Sequence, residues 1–216
     1  GLLVATIAWG RRDLVLRSAN RLLTRMDNAP HDFVLHATNS DREKLEGFVH
    51  RTFNTIDVQY FVRALQHIYR DHNGLEAAFA DGLKTDDADV YNALVHFREL
   101  FFSLPDAPQR TGKHVSDVTR NASCKRLVMY LRWMVRSDKR GVDFGIWKRI
   151  SPSQLVLPLD VHTGRVARAL GLLQRKQNDW KAVQIVTEYL RQLDPADPAK
   201  YDFAIFGLGI YEGFGR

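Results

Sequence analysis

The sequence contains a single cysteine, Cys124. One thiol excludes an intrachain disulfide framework, a cysteine zinc site and a cysteine-ligated iron–sulfur cluster. No apolar run is long enough to span a membrane, and the chain does not open with a signal-peptide pattern. Strand signals are scarce. Gln154-Leu-Val-Leu157 could extend briefly, but Pro158 ends the run and no partner run answers it. Fixed-period repeats and low-complexity tracts are missing as well. What is present is ordinary globular content, 45% hydrophobic and 26% charged, which excludes intrinsic disorder. The expectation is a cytoplasmic chain forming one domain over residues 1–216.

Apolar residues recur at three- and four-residue spacing, the mark of helices packed on one face. Gly1 to Ala8 reads as a buried helix with no capping residue before it, so a natural N-terminal segment is expected to be missing. Val15, Ala19, Leu22, Leu23 and Met26 share a face. So do Val58, Phe61, Val62, Leu65, Ile68 and Tyr69, with Asp57 the expected cap and Gly74 the expected stop. Val90, Ala93, Leu94, Phe97 and Phe101 form a stripe closed by Pro105. Val183, Val186, Leu190 and Leu193 form another, running from a cap at Asp179 to a stop at Pro195. The predicted fold class is all-α. The stretch Ser103 to Asn121 lacks this spacing, and a loop of that length usually marks function or mobility.

Charge is unevenly placed. The net charge is +6, yet Arg110 to Arg149 alone holds eleven basic residues against three acids, so that stretch carries +8 and the remainder −2. A local field of this strength suits a polyanion such as nucleic acid. A solvated basic face has the same composition. Residues 104–153 are accordingly the expected DNA-facing region, with Lys113, Thr119, Arg120, Arg126, Lys139, Arg140 and Lys148 as candidate contacts.

Two segments within reach of this region carry chemistry. From Asn121 to Arg136 the pattern is a helix with Leu127, Tyr130, Leu131 and Met134 inward and Asn121 or Ser123 near its cap. Lys125 then lies in the first turn, where the positive helix end and neighbouring cations disfavour an ammonium. A lysine held as free amine is what a Schiff-base nucleophile requires. A solvent-facing or phosphate-contacting lysine is the plainer reading. In Leu157 to Gly171, Asp160 stands where a helix should begin, with Val166, Ala169 and Leu170 inward and Gly171 at its end. An N-cap aspartate is ordinarily structural, contributing about 1 kcal/mol. An anchored carboxylate could also stabilise a developing positive charge.

Pro158-Leu-Asp160-Val-His162, followed by Arg165-Val-Ala-Arg168, resembles the segment bearing the catalytic aspartate in the helix-hairpin-helix DNA glycosylase superfamily. Lys125, in Cys-Lys-Arg-Leu, matches the lysine that precedes that aspartate in lyase-competent members. Ala5-Thr-Ile-Ala-Trp9-Gly-Arg is similar to the early segment whose residue at the Trp9 position fills the gap left by a flipped nucleotide. Lys200-Tyr-Asp-Phe-Ala-Ile-Phe-Gly-Leu-Gly209 is similar to the closing helix. The resemblance covers most of the chain. It is closest to a bacterial branch of the superfamily, and more distant from the 8-oxoguanine glycosylases and endonuclease III.

The resemblance implies a two-lobed helical fold with the active site in the cleft between lobes. It implies a DNA N-glycosylase with associated lyase activity, needing no metal or redox cofactor and acting on damaged DNA, with duplex the first form to test; the oligomeric state stays open, a monomer being favoured. An oxidised purine is the first substrate to test. Lys125 would attack the sugar C1′, while Asp160 would help deprotonate it and stabilise the cationic sugar. His162 and Arg165 would contact DNA, and Trp147, Gln154 and Phe206 are candidates for the base pocket. Two departures stand out. Lys125 and Asp160 are 35 positions apart, more than in standard members, the extra length being the basic stretch Ser137 to Ser153. The glycine-flanked hairpin that grips a phosphate is replaced by the glycine-free Ser116-Asp-Val-Thr-Arg-Asn-Ala-Ser123, so Lys113, Thr119, Arg120 and helix N-termini would have to take over. The alternatives are a catalytically silent DNA-binding module on the same fold and a helical protein-interaction domain.

Overall fold

A computed structural model describes residues 1–138 and 141–215, so Lys139 and Arg140 lie outside the described residues. Two compact units divide the chain. The first comprises Gly1–Gly82 and His96–Val115, and the second Leu83–Val95 and Ser116–Arg216. The expected DNA-facing stretch therefore contributes residues 104–115 to the first unit and 116–153 to the second.

The fold is all-α. The chain runs through α1 (Leu2–Ile7), α2 (Arg12–Arg25), α3 (Pro30–His36) and α4 (Asn39–Glu43), then a minimal hairpin of β1 (Val49–His50) and β2 (Phe53–Asn54). There follow α5 (Thr55–Asp71), α6 (Gly74–Ala80), α7 (Tyr91–Phe101), α8 (Lys125–Val135), α9 (Val161–Ala169), α10 (Trp180–Leu193) and α11 (Asp202–Ile210). The hairpin pairs Val49 with Asn54, antiparallel, and is the only sheet among the described residues. No helix among them is long and apolar enough to cross a membrane.

In the first unit, α5 packs against α3 and α6, and phenylalanines fill the space between. Phe53, Phe61, Phe79, Phe97 and Phe101 are each fully buried, with Phe61 and Phe101 ring centroids 4.7 Å apart and Phe79 stacked on Phe97 at 4.0 Å. The start of α5 departs from expectation. Asn54 is the cap, and Asp57 is the third helical residue, its carboxylate accepting the Asn54 N–H at 3.0 Å in a capping box. The helix ends at Asp71, and Gly74 lies just beyond it at φ +83°, where it opens α6.

In the second unit the Gln154–Leu157 run forms no strand. Pro152–Gln154 is a 3-10 turn ending on an extended Leu155, and Leu155, Val156 and Leu157 are all buried in the core. With no partner strand, the buried Leu157 N–H donates to the Thr187 hydroxyl of α10 at 3.0 Å, which satisfies it as a ladder bond would. α10 has the predicted Asp179 cap, the carboxylate accepting the Ala182 N–H at 3.1 Å. α9 has the predicted Asp160 cap but a different inner face. Thr163, Gly164, Val166 and Ala167 are buried, whereas Ala169 and Leu170 are exposed. A helix this short has apolar residues on several sides, and its packing against α11 selects the face. That packing is close. A Cβ on Gly209 of α11 would sit 3.0 Å from the Val166 side chain.

Candidate active site

Lys125 is the first residue of α8. Neither Asn121 nor Ser123 caps the helix. Cys124 does so through its backbone alone, in a left-handed conformation at φ +49° and almost fully buried. Such a conformation costs a non-glycine residue roughly 1–3 kcal/mol and recurs at functional positions. Asn121 ends the preceding 3-10 turn at φ +63°, and its carboxamide donates to Asp179 at 2.8 Å.

Asp160 precedes α9, and its Oδ1 accepts the Thr163 N–H at 2.9 Å. Its other oxygen lies 3.8 Å from Lys125 Nζ, with the two side chains 30% and 22% exposed for lysine and aspartate. The aspartate backbone is held too, since Asn178 Nδ2 donates to the Asp160 carbonyl at 3.0 Å. Gly164 makes room for that contact: a Cβ there would fall 2.5 Å from Asn178 Oδ1. A separation of 3.8 Å is an ion pair rather than a hydrogen bond, and a part-exposed pair contributes about 0–1 kcal/mol to stability.

Below this pair lies a buried ionic chain that residue spacing does not bring out. Lys125, Arg132 and Arg136 recur at seven and four residues, one stripe of α8. The buried Arg132 guanidinium donates to Asp202, the first residue of α11, and to Asp143 at 3.2 Å. Arg136 pairs with Asp143 at 2.6 Å and Asp197 at 2.8 Å. Burial pushes the Asp202 carboxyl up to about 6, against the pulls of Arg132 and Lys125 and with Asp160 and Asp143 adding to the rise. Two sequence signals mark these charges: arginines on the inner side of an apolar helix, and one aspartate within the apolar run Tyr201-Asp-Phe-Ala-Ile-Phe206.

The other predicted residues divide into three groups. His162 and Phe206 come to the Asp160 end of α9, their rings edge-on at 6.2 Å, and Arg165 is exposed one turn further along the same helix. Trp147, Lys148 and Gln154 also come together, lining a cavity of about 620 Å³, but with Arg136 at the far end of α8. The Trp147 N–H donates to the Met134 carbonyl, and Met134 is about 14 Å along the helix from Lys125 at 1.5 Å per residue. Trp147 is buried edge-on against Tyr130. The Gln154 carboxamide accepts the Ser151 N–H and donates to the Asp87 carbonyl. These two are structural and do not form a pocket beside Lys125.

The third group is the expected phosphate grip. Both donors of Thr119, its N–H and its hydroxyl, are taken up by the Asp117 carboxylate at 3.0 and 2.6 Å, which removes Thr119 as a phosphate ligand. Arg120 and Lys113 are exposed, and Lys148 is exposed with its ammonium on the Gly145 carbonyl. Arg126 is part-buried, and burial pulls its guanidinium below the ordinary value. Trp9, in the first unit, is half-buried. Its ring stacks on His114 at 6.0 Å and meets His50 edge-on at 5.0 Å, and burial lowers His50.

Neither the curated proteins nor the solved structures yield a match to this chain. A family model described as "Protein of unknown function (DUF2400)" matches residues 1–211, and the chain belongs to that family.

Proposed function

We propose that this protein is a DNA N-glycosylase with associated lyase activity. One observation carries the reading: Lys125 and Asp160, 35 positions apart in sequence, meet at 3.8 Å with both side chains part-exposed. Each stands at a helix start, which fixes its backbone, and both polar ends remain within reach of water. A damaged base flipped out of duplex would bring its sugar to the pair, at an unstacking cost of a few kcal/mol that a lesion reduces. The Lys125 amine attacks C1′ and displaces the base. Asp160 stabilises the positive charge on the sugar, and elimination from the resulting Schiff base nicks the strand. The substrate class proposed is an oxidised purine, 8-oxoguanine first.

Borohydride trapping tests the reading. A covalent protein–DNA adduct is expected on a duplex carrying 8-oxoguanine, with oxidised pyrimidines and abasic sites as companion substrates. Lys125→Gln should abolish the adduct while duplex binding stays nearly unchanged. An adduct that persists in Lys125→Gln moves the nucleophile to another amine.

A second reading, a silent DNA-binding module, draws on the glycine-free segment Ser116 to Ser123 and the 35-position interval between Lys125 and Asp160. Strong duplex binding with no adduct and no base release on any of these substrates would favour it.

A further inference from the structure

We propose that Arg51, at the tip of the β1–β2 hairpin, is a phosphate-binding residue: its guanidinium, laid flat over Gly10, takes a backbone phosphate of a DNA duplex. The partner rests on the DNA reading above; the glycosylase chemistry does not enter.

The hairpin pairs His50 with Phe53, which leaves Arg51 and Thr52 as a two-residue turn. Arg51 sits there at φ +54°. Turns of this length take glycine, asparagine or aspartate where φ is positive, because a larger side chain crowds the backbone. Arginine works against the turn, and departures of this kind concentrate at functional sites. It also lies outside the Arg110–Arg149 stretch whose charge count points to DNA.

The side chain has a defined seat. A Cβ on Gly10 would fall 2.5 Å from Arg51 Nη2 and 2.7 Å from both its Cζ and its Nε. Near-equal distances to three atoms of one plane put that plane over Gly10 rather than edge-on to it. The N–H groups around its rim then point sideways, and Arg51 is exposed. Among the described residues no carboxylate pairs with it. Its neighbours on α2 differ, since Arg11 and Arg17 share the Asp13 carboxylate at 3.0 and 2.8 Å.

The hairpin is held around this seat from several segments. The buried His50 ring lies 2.9 Å from the Ser18 hydroxyl and 3.3 Å from the Trp9 carbonyl. Arg21 donates to the Val49 carbonyl at 3.0 Å, and Arg110 to the Thr52 carbonyl at 3.2 Å. Arg110 is itself held on the buried Asp57. Trp9, next in the chain to Gly10, has its ring against His50 and His114. Hairpin tip and Trp9 turn thus form one fixed surface of the first unit. A half-buried aromatic ring and a placed guanidinium, side by side, suit the bases and phosphates of nucleic acid. The guanidinium meets a phosphate through two parallel N–H···O bonds, and one already seated loses little freedom on binding.

Binding of an undamaged duplex, followed by fluorescence anisotropy over a range of salt concentrations, tests the proposal. Arg51 is exposed, so Arg51→Ala should fold as the wild type does. It should bind about tenfold more weakly at low salt and lower the log–log salt slope by about 0.9, as expected for one phosphate. Arg51→Lys keeps the charge and loses the fork, so the slope should hold while affinity still falls about threefold. Arg17→Ala removes the same formal charge from a guanidinium already on Asp13, and should change neither quantity. If Arg51→Ala and Arg17→Ala behave alike, or Arg51→Lys binds as the wild type does, a diffuse field is acting and the proposal falls. A dependence on Arg51 seen with single-stranded RNA and not with duplex moves the partner to RNA and overturns it as well.

Trapping separates this inference from the reading it rests on. A wild-type chain that forms no adduct, with the salt slope still dependent on Arg51, overturns the glycosylase activity alone. A wild-type chain that forms adduct, with the slope of Arg51→Ala unchanged, overturns the role of Arg51 alone. A wild-type chain that does not bind duplex overturns both.

Discussion

Asp57 in the first unit and Asp160 in the second each stand beside basic side chains, and the two sites differ in how completely they are closed. In the first unit Asp57 is fully buried. It accepts the Asn54 N–H at 3.0 Å and the Thr111 hydroxyl at 2.8 Å, and Arg110 and His114 nitrogens each lie 3.3 Å away. Donors from separate segments thus surround one side chain. In the second unit Asp160 has one backbone donor and one lysine, and both members of the pair remain reachable from water. A sealed and saturated charge holds segments together and has no capacity left for a substrate. A charge that is anchored on one side and open on the other is able to act on one. The difference lies in closure, since both sites use an aspartate near a helix start.

Asp57→Ala should show the largest effect. It strips the shared partner from Arg110, His114 and Thr111, and breaking a buried ion pair costs about 3–5 kcal/mol. Chemical denaturation measures it. A destabilisation below about 1 kcal/mol, the level of an exposed ion pair, would erase the contrast between the two sites. Asp160→Asn is the counterpart. Asparagine caps a helix about as well as aspartate, so melting should hardly change, while base release and trapping fall by about 10²–10³-fold. If this variant melts early and reacts at the normal rate, the second site is structural as well.

Trp9→Ala should weaken discrimination between damaged and intact duplex, with a destabilisation below the roughly 3–5 kcal/mol typical of a fully buried tryptophan. The ring rests on His50 and His114, so a larger effect in a thermal melt would assign Trp9 to the closed cluster. Smaller again is the electrostatic effect. Changing Arg120, Lys139, Arg140 and Lys148 together to alanine should flatten the salt dependence of duplex binding, by about 0.9 in log–log slope for each phosphate no longer neutralised. An unchanged slope places the DNA surface elsewhere.

Acid titration sharpens the contrast in sign. The Arg175 guanidinium holds Asp179 down at about 2. Its contribution is therefore present above the ordinary aspartate range, near about 4, and is lost as pH falls toward about 2. Asp202, raised to about 6, behaves oppositely: the folded state takes its proton first, so acidification from about 6 to about 4 adds stability through this group. Melting temperatures measured from neutral pH down to about 2 should show Asp179→Asn with a shallower fall at the acid end. An acid limb identical to that of the wild type would contradict the Asp179 assignment.

The sequence by itself determined the all-α class, most helix spans, and the caps at Asp160 and Asp179. These depend on interactions within a turn or two of the chain, which residue spacing records directly. Lys125 and Asp160 were legible as a pair through the motifs around them. Much else was not. Asn54 rather than Asp57 caps α5, Cys124 turns the chain into α8, and α9 buries a face set by Gly209 and Val166. Charge was the least legible. Arg110, Lys125, Arg132 and Arg136 belong to the +8 stretch, yet besides Asp143 within it they pair with Asp57, Asp160, Asp202 and Asp197 outside it. A linear count gives how many charges a segment has. Only tertiary packing decides which of them face water and which meet a carboxylate tens of residues away, because a Coulomb interaction depends on distance and burial and not on position along the chain.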